Sequence, residues 1–468
     1  MIFLQLLKGI LIASAFFQVI YAAVNTASLL PLLSSGAVID TDAPRWSDYK
    51  APLPGAVVHP ASEADVQITV KWAIDRNIKF FTQNGGNGWA TTFSMSSNDI
   101  GINLDRLRSI NFNADKTQAI VAGGALTGDV IPAASANSAL IVTASCNCVG
   151  YLGAALGGGI GVLQGEFGLG ADELLSLNFV NAFGDAITVK PSSNDLWYAL
   201  RGAAPNFGIV TSVVVRSHPV IASDLLAWTG SLIFRPDQLE AVITAAGKLH
   251  FRPPMALTLT FVNQAATNSQ IIIASPFYHG STAQGRAAFQ SLLDIGPISD
   301  ATTMTPYTSW NNGSNNACVK GGLRPTWGVG LERMDPKIWR QVYNSWLELV
   351  RQPGFERSSI LLNAYALDKV RSVPDDSSAI PWRHTIKFHA SITVFYTDPS
   401  LEQKALFYGN TVRALWRLSN KQFTGKVYIN NGFGDESNVD IYGASLPRLT
   451  TLKKKYDPKK RFNQWFPI

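Results

Sequence analysis

Gln83-Asn84-Gly85-Gly86-Asn87-Gly88-Trp89 is the stretch on which the reading of this chain turns. It directly follows Ile78-Lys79-Phe80-Phe81-Thr82, a run of strand-forming residues. Glycine is dense where the backbone turns tightly or comes close to a ligand. A loop placed directly after a strand is where a diphosphate is cradled by successive backbone N–H groups, which side chains would obstruct. A second run, Gly150-Tyr151-Leu152-Gly153 through Gly157-Gly158-Gly159-Ile160-Gly161, can supply the other side. Neither run has the G-x-G-x-x-G spacing, and no acidic residue follows at the distance a ribose contact needs, so the Rossmann arrangement fails. The competing reading is that the glycines serve only turns and packing.

Working outward, Ala56-Val57-Val58-His59 reads as a strand, and Ser62-Glu63-Ala64-Asp65 as a capping-box helix start. Val66, Val70, Ala73 and Ile74 then recur at helical spacing. Strands are expected at 100–104, 110–112 and 117–121, and a helix from Thr127. A hairpin follows, with strands at 176–182 and 186–189 turning at Phe183-Gly184-Asp185. Leu196–Leu200 suggests a short helix, and Asn206–Val215 ends in an alternating β-branched strand. From about Val220 the pattern changes to an antiparallel sheet with strands at 225–234, 256–262 and 270–274. Asn263–Asn268 would connect two of them, and helices at 237–250 and 284–293 would cover one face.

The chain has 468 residues, 46% of them hydrophobic and 15% charged, with 38 glycines and 12 tryptophans. It can bury a large core shared by two domains, and disorder over most of its length is excluded. Its 39 basic and 33 acidic residues are spread thinly. Lys453-Lys454-Lys455 with Lys459-Lys460-Arg461 reads as a solvated helix end, so no nucleic-acid partner is expected. Residues 1–22 form an apolar stretch with one lysine, ending in small residues at Ala22 and Ala23. It is read as a signal peptide, with a membrane anchor as the competing reading. No membrane association is expected after cleavage. Asn312-Gly313-Ser314 is a glycosylation sequon and fits export. Cys146, Cys148 and Cys318 are too few for a disulfide framework or a zinc site, so no metal is expected.

Four ordered blocks carry a resemblance: 83–89; Cys146-Asn147-Cys148-Val149-Gly150 with the glycines after it; Arg201-Gly202-Ala203-Ala204-Pro205-Asn206-Phe207-Gly208-Ile209-Val210-Thr211; and Tyr456-Asp457-Pro458 near Phe462. The chain resembles the FAD-linked oxidoreductases of the vanillyl-alcohol oxidase superfamily with a PCMH-type FAD-binding domain, in the fungal-type berberine-bridge-enzyme-like branch. The resemblance implies an α+β fold. Two α+β subdomains over 23–219 would hold FAD, and a substrate domain over 220–424, an antiparallel sheet backed by helices, would roof the flavin. The segment 425–468 would return to the FAD domain. Cofactor contacts are then implied at Asn84, Gly85, Gly86, Asn87 and Gly88. The second set is Cys146, Val149, Gly150, Gly153 and Gly157. Gly208, Ile209 and Val210 would contribute backbone contacts, and Tyr428 and Asn430 would lie near the ring.

Two positions depart from the family pattern. Asn87 stands where relatives carry the histidine that binds FAD covalently, so no histidyl bond is expected. Cys146 stands at the cysteinyl position, where a thiolate would attack flavin C6. The alternatives for it are a buried free thiol or a disulfide with Cys148 or Cys318. In the C-terminal motif, Tyr428-Ile429-Asn430-Asn431 lacks the second aromatic. The leading function is an oxidase of a small organic molecule, an intermediate of secondary metabolism, with hydride passing to flavin N5 and dioxygen reoxidising it. Tyr428, Tyr442, His384 and His389 are the candidate bases. A non-redox cyclase or pericyclase on the same fold, with FAD structural or absent, is the second reading, and a silent binding protein the third. Peroxide production supports the first, turnover without oxygen uptake the second, and neither the third.

Overall fold

The computed structural model describes residues 24–264, 269–421 and 425–468; the signal peptide expected over 1–22 lies outside the described residues. Ala56–His59, Ile100–Asn103 and Phe80–Gln83 pair in parallel in that order, and Val38–Asp40 adds antiparallel to the first. The helix Glu63–Asp75 packs on this sheet through Val66, Val70 and Ala73, against Val58, Phe80 and Ile102. Ser62 caps it as expected, its hydroxyl accepting from Asp65 N at 3.1 Å. The Asp65 carboxylate completes the cap one residue further out, accepting from Ala61 N at 3.0 Å and from the Ser34 hydroxyl at 2.7 Å.

The second sheet is wholly antiparallel, in the order Ile110–Phe112, Gln118–Ala122, Gly208–Arg216, Leu174–Asn181, Ala186–Val189. Its outer hairpin turns at Gly184, whose φ of +79° suits glycine. Gly208–Arg216 also joins the two subdomains. Ile209 enters the core of the first sheet, while Val210, Val213 and Val215 enter that of the second.

Among the described residues the third sheet has nine strands. At its centre, Ser269–Tyr278, Met255–Gln264, Ser359–Tyr365, Phe388–Thr393 and Thr326–Leu331 run antiparallel in that order. One face is the core under the helices Leu239–Lys248, Pro336–Val350 and Glu402–Ser419. Trp228, Trp327, Trp339, Trp346 and Trp416 are all fully buried there, so five of the chain's tryptophans belong to packing. Two expectations need correction. The strand expected over 225–234 is two strands, Leu226–Thr229 and Leu232–Phe234. Gly230 breaks it: its φ is +143°, and a Cβ there would lie 2.3 Å from the Ala301 carbonyl oxygen. The helix expected over 284–293 is likewise two short helices, Thr282–Ala288 and Gln290–Leu293, because Phe289 turns inward to be fully buried.

The tail packs on the second sheet's core through Ile441, Tyr442, Leu449, Leu452 and Phe466. Its anchor is a buried ion pair, which corrects the solvated helix end expected of the lysine run at Lys453. Lys453 Nζ lies 2.8 Å from Asp457 and donates to the Asn206 and Phe462 carbonyls at 2.6 Å each. Asp457 also accepts from Arg461 N and Phe462 N. Removing one partner leaves the other charge buried, so Asp457→Ala is expected to lower unfolding free energy by roughly 3–5 kcal/mol. Denaturant titration of the two proteins reads this; equal midpoints would contradict the anchor.

Candidate active site

The two glycine runs touch. A Cβ on Gly85 would lie 2.6 Å from Gly150 N, and one on Gly150 would lie 2.5 Å from the Asn84 amide carbon. Asn84 Nδ2 donates to the Gly123 carbonyl, and its buried Oδ1 has no partner among the described residues. The Asn87 amide, oriented so that its nitrogen donates, reaches the Cys148 and Gly85 carbonyls at 2.9 Å each. Beyond Gly150 the short helix Tyr151–Ala155 is buried except at Gly153, where a Cβ would meet nothing within 4 Å. The Val149 N–H donates to the Cys146 carbonyl at 3.3 Å and closes the turn before it. An open glycine surface beside a buried acceptor without a donor, with Thr127 Oγ1 also unpaired, suits a dinucleotide held by backbone groups.

At the far end of the second run stand Tyr428 and Asn430. The Tyr428 hydroxyl accepts from Gly159 N at 3.0 Å and Asn430 Nδ2 at 2.8 Å, and donates to the Ala154 carbonyl at 3.4 Å. Gly157 and Gly158 have no room for a Cβ, which would lie 2.5 Å from the Asn430 amide and 2.9 Å from the Tyr428 ring. Burial pushes the Tyr428 hydroxyl above its ordinary range, so it stays a neutral donor at neutral pH.

The third sheet presents its second face to these residues. Ala256, Phe277 and Tyr365 pack there with Ile160 and Val162, and Gly328 lies under the Asn431 backbone. Thr258, Asn363, His389 and Ser391 share that face, since the alternate residues of their strands belong to the core. Thr258 donates to Asn363 Oδ1 at 3.0 Å. His389 meets the Tyr428 ring edge-on, centroids 5.7 Å apart, and its buried Nδ1 has no partner among the described residues. Burial lowers the imidazole to about 4, so it is neutral at physiological pH. The unfolded chain therefore takes up this proton first, and stability falls as pH drops from about 6.5 toward 4, by up to about 3 kcal/mol. His389→Gln should flatten that part of the profile when urea unfolding is compared at pH 4.5 and pH 7. His59 and His279, held above their ordinary value by neighbouring carboxylates that outweigh burial, contribute equally to both proteins.

The cysteines settle into a cluster. Cys148 and Cys318 form a disulfide, and Cys146 remains a free thiol with its sulfur 3.4 Å from that of Cys148 and 3.9 Å from that of Cys318. Of the alternatives, the disulfide of Cys146 itself is therefore replaced by one between its two neighbours. Burial raises the Cys146 thiol above its ordinary value.

Two candidate bases lie elsewhere. Tyr442 is fully buried, accepting from Asn206 Nδ2 at 2.9 Å and donating to the Phe466 carbonyl at 2.6 Å, which makes it a clasp for the C-terminus. His384 is half-exposed, 3.4 Å from Asp375, and is not brought to the glycine runs. Gly208 is covered by Val180 and Phe179, while the Val210 carbonyl lies 3.1 Å from where a Cβ on Gly123 would stand. Gly123-Gly124 is absent from the expected contacts, although the signal is present: a glycine pair just after a strand, as Gly85-Gly86 is. Arg45 is absent from them as well; it is buried, donates to Gln83 Oε1 at 3.0 Å and to the Gly88 carbonyl, and is lowered by burial to about 10.

Parallel and antiparallel subdomains flanking a glycine crevice, roofed by a third sheet, define a flavin-binding class of fold. Residues 54–190 match the family described as FAD binding domain, and 427–465 match the one described as berberine and berberine like. FAD-linked oxidoreductase OXR1 of Pyricularia oryzae is 32% identical over 431 residues, 89% of this chain and 84% of the relative. FAD-linked oxidoreductase hasG of Aspergillus fumigatus is 30% identical, covering 92% and 97%. Among solved structures, wild-type BBE-like 1 of Physcomitrella patens superposes with a TM-score of 0.79 at 19% identity, covering 95% of this chain and 99% of that one. For 6-hydroxy-D-nicotine oxidase from Arthrobacter nicotinovorans the values are 0.78, 19%, 93% and 98%. The chain belongs to the berberine-bridge-enzyme-like family of FAD-linked oxidoreductases.

Proposed function

We propose that this protein is a secretory-pathway oxidase that dehydrogenates a small, hydrogen-bonding organic molecule of secondary metabolism and is reoxidised by dioxygen. The observation that carries this reading is His389: a neutral imidazole with an unpaired nitrogen, set beside Tyr428 above the glycine run. Bound FAD would supply the hydride acceptor. It would be held by Asn84, Gly85, Gly150 and Gly153 at one end and by Gly157 and Asn430 at the other. His389 takes the proton from a substrate O–H or N–H, a role for which its neutral state is the competent one. Tyr428, its oxygen fixed by Gly159 N and Asn430, would turn its one hydroxyl proton from the Ala154 carbonyl toward the substrate heteroatom. Thr258, Asn363 and Ser391 orient the remaining polar groups.

Cys146 is the sulfur left free to tether the cofactor, and Asn87 leaves no second tether. The Cys148–Cys318 bond and the exposed Asn312 support passage through an oxidising compartment, with the sequon glycosylated. Supporting the metabolic assignment are relatives named as fungal FAD-linked oxidoreductases. The test needs no substrate. The flavin-loaded protein is photoreduced without air and then mixed with air-saturated buffer. An oxidase reoxidises within seconds and yields peroxide equal to its flavin; reoxidation over many minutes would overturn the oxygen assignment. A protein that takes up no flavin at all would favour the cyclase reading.

A further inference from the structure

A cleft of about 720 Å³ opens at the end of the third sheet, where Leu239–Lys248 ends and the central strands begin or finish. Its lining carries five permanent cations, Lys248, Arg252, Arg333, Arg371 and Lys387, against two acids, Glu332 and Asp368. Both acids are engaged: Asp368 with Arg252 at 3.0 Å, and Glu332 with Lys426, outside the cleft, at 3.0 Å. Lys248, Arg333, Arg371 and Lys387 thus line the cleft without a carboxylate partner among the described residues, Arg333 donating from Nε to the Ser419 carbonyl at 3.0 Å. Arg371 donates from Nη2 to the His384 carbonyl at 3.1 Å, but its buried Nε has no partner among the described residues. The floor is of opposite character, made by Leu249, Phe251, Leu367 and Phe388.

The inner wall is Tyr365, which is nearly fully buried and belongs at once to this cleft and to the group beneath the sheet with Ile160 and Val162. Its hydroxyl faces Ser145, next to Cys146. Tyr365 therefore borders both the cationic cleft and the face of the sheet turned to the glycine run.

We propose that the cleft is an outer subsite of the chamber between that face and the glycine run and binds organic anions with an apolar body, a carboxylate on a ring or chain being the simplest case. The anionic end pairs with Lys248, Arg371 and Lys387, and the apolar body lies on Phe251, Leu367 and Phe388 toward Tyr365. Charge selects the ligand class, because these cations have no carboxylate partner among the described residues, while the aromatic floor rejects small hydrated anions. The assignment as a subsite rests on the oxidase reading; the anion preference does not.

Binding of 2-naphthoate and of its neutral counterpart 2-naphthalenemethanol to the flavin-loaded protein tests it, by calorimetry and by visible difference spectra at low salt. Naphthoate is expected to bind roughly tenfold more tightly, an order set by pairing with partly exposed cations. In Lys248→Glu/Lys387→Glu, whose exposed positions spare the fold, that preference should disappear. In the wild-type protein naphthoate should also perturb the flavin spectrum. Equal affinities, or a preference that survives both substitutions, would overturn the anion site. Naphthoate heat with a silent flavin spectrum would overturn the link to the chamber. Failure of the oxidase reading appears instead in the air-reoxidation measurement and leaves the affinity ratio unchanged.

Discussion

Gly153→Leu is expected to deprive the protein of its flavin while leaving the apoprotein at least as stable. Gly153 is the exposed position of an otherwise buried helix, and a Cβ there meets nothing within 4 Å. Leucine in place of glycine within a helix favours folding by about 1 kcal/mol. The same isobutyl group would occupy the surface proposed for the cofactor. Overpacking of that kind costs up to about 3 kcal/mol, or roughly 100-fold in affinity. The pair of readings matters: flavin retention after gel filtration should fall while the thermal midpoint of the apoprotein does not. A protein that keeps its flavin would move the cofactor away from this helix. A substitution at Gly85 could not make the distinction, because its Cβ would strike Gly150 N and the Cys148 carbonyl and disturb the fold itself.

His389→Ala is expected to lower kcat by about 10²–10⁴, the usual contribution of a positioned general base. Flavin content should be unchanged, since His389 lies on the third sheet, across the chamber from the glycine run. His384→Ala serves as the matched control. It removes a histidine five positions away whose ion pair, to Asp375, is on the surface, and its kcat should equal that of the wild type. Peroxide assays on a turning-over substrate, with the bound flavin quantified in each protein, read the difference. A His389→Ala protein of undiminished kcat would contradict the assignment of the base to His389.

The contrast between these two histidines shows where sequence stops informing. In the string Arg383-His384-Thr385-Ile386-Lys387-Phe388-His389 neither imidazole carries a motif. Strand register decides: Phe388 and Ala390 point into the core, so His389 points to the chamber, whereas His384 precedes the strand in a turn. The glycine crevice is legible for the opposite reason. Gly85, Gly150 and Gly157 are required by contacts in which any Cβ collides, and that requirement is written in residue type. Sulfur pairing is not legible, because Cys148 and Cys318 are 170 residues apart and all three thiols are equivalent until folding sets their distances. Tyr442 shows the remaining failure. An aromatic hydroxyl near a C-terminal motif has the same chemistry whether it faces a substrate or, as here, clasps Asn206 to the Phe466 carbonyl. The third sheet is legible from its alternation, but the break at Gly230 depends on the approach of Ala301, a partner far along the chain.

The most direct test of the central claim, that the crevice between residues 83–88 and 150–159 holds FAD, is the visible spectrum of the purified protein before and after incubation with added FAD and gel filtration. The account predicts a flavin spectrum at close to one cofactor per chain, and its loss in Gly153→Leu. A colourless wild-type protein that takes up no FAD would contradict it.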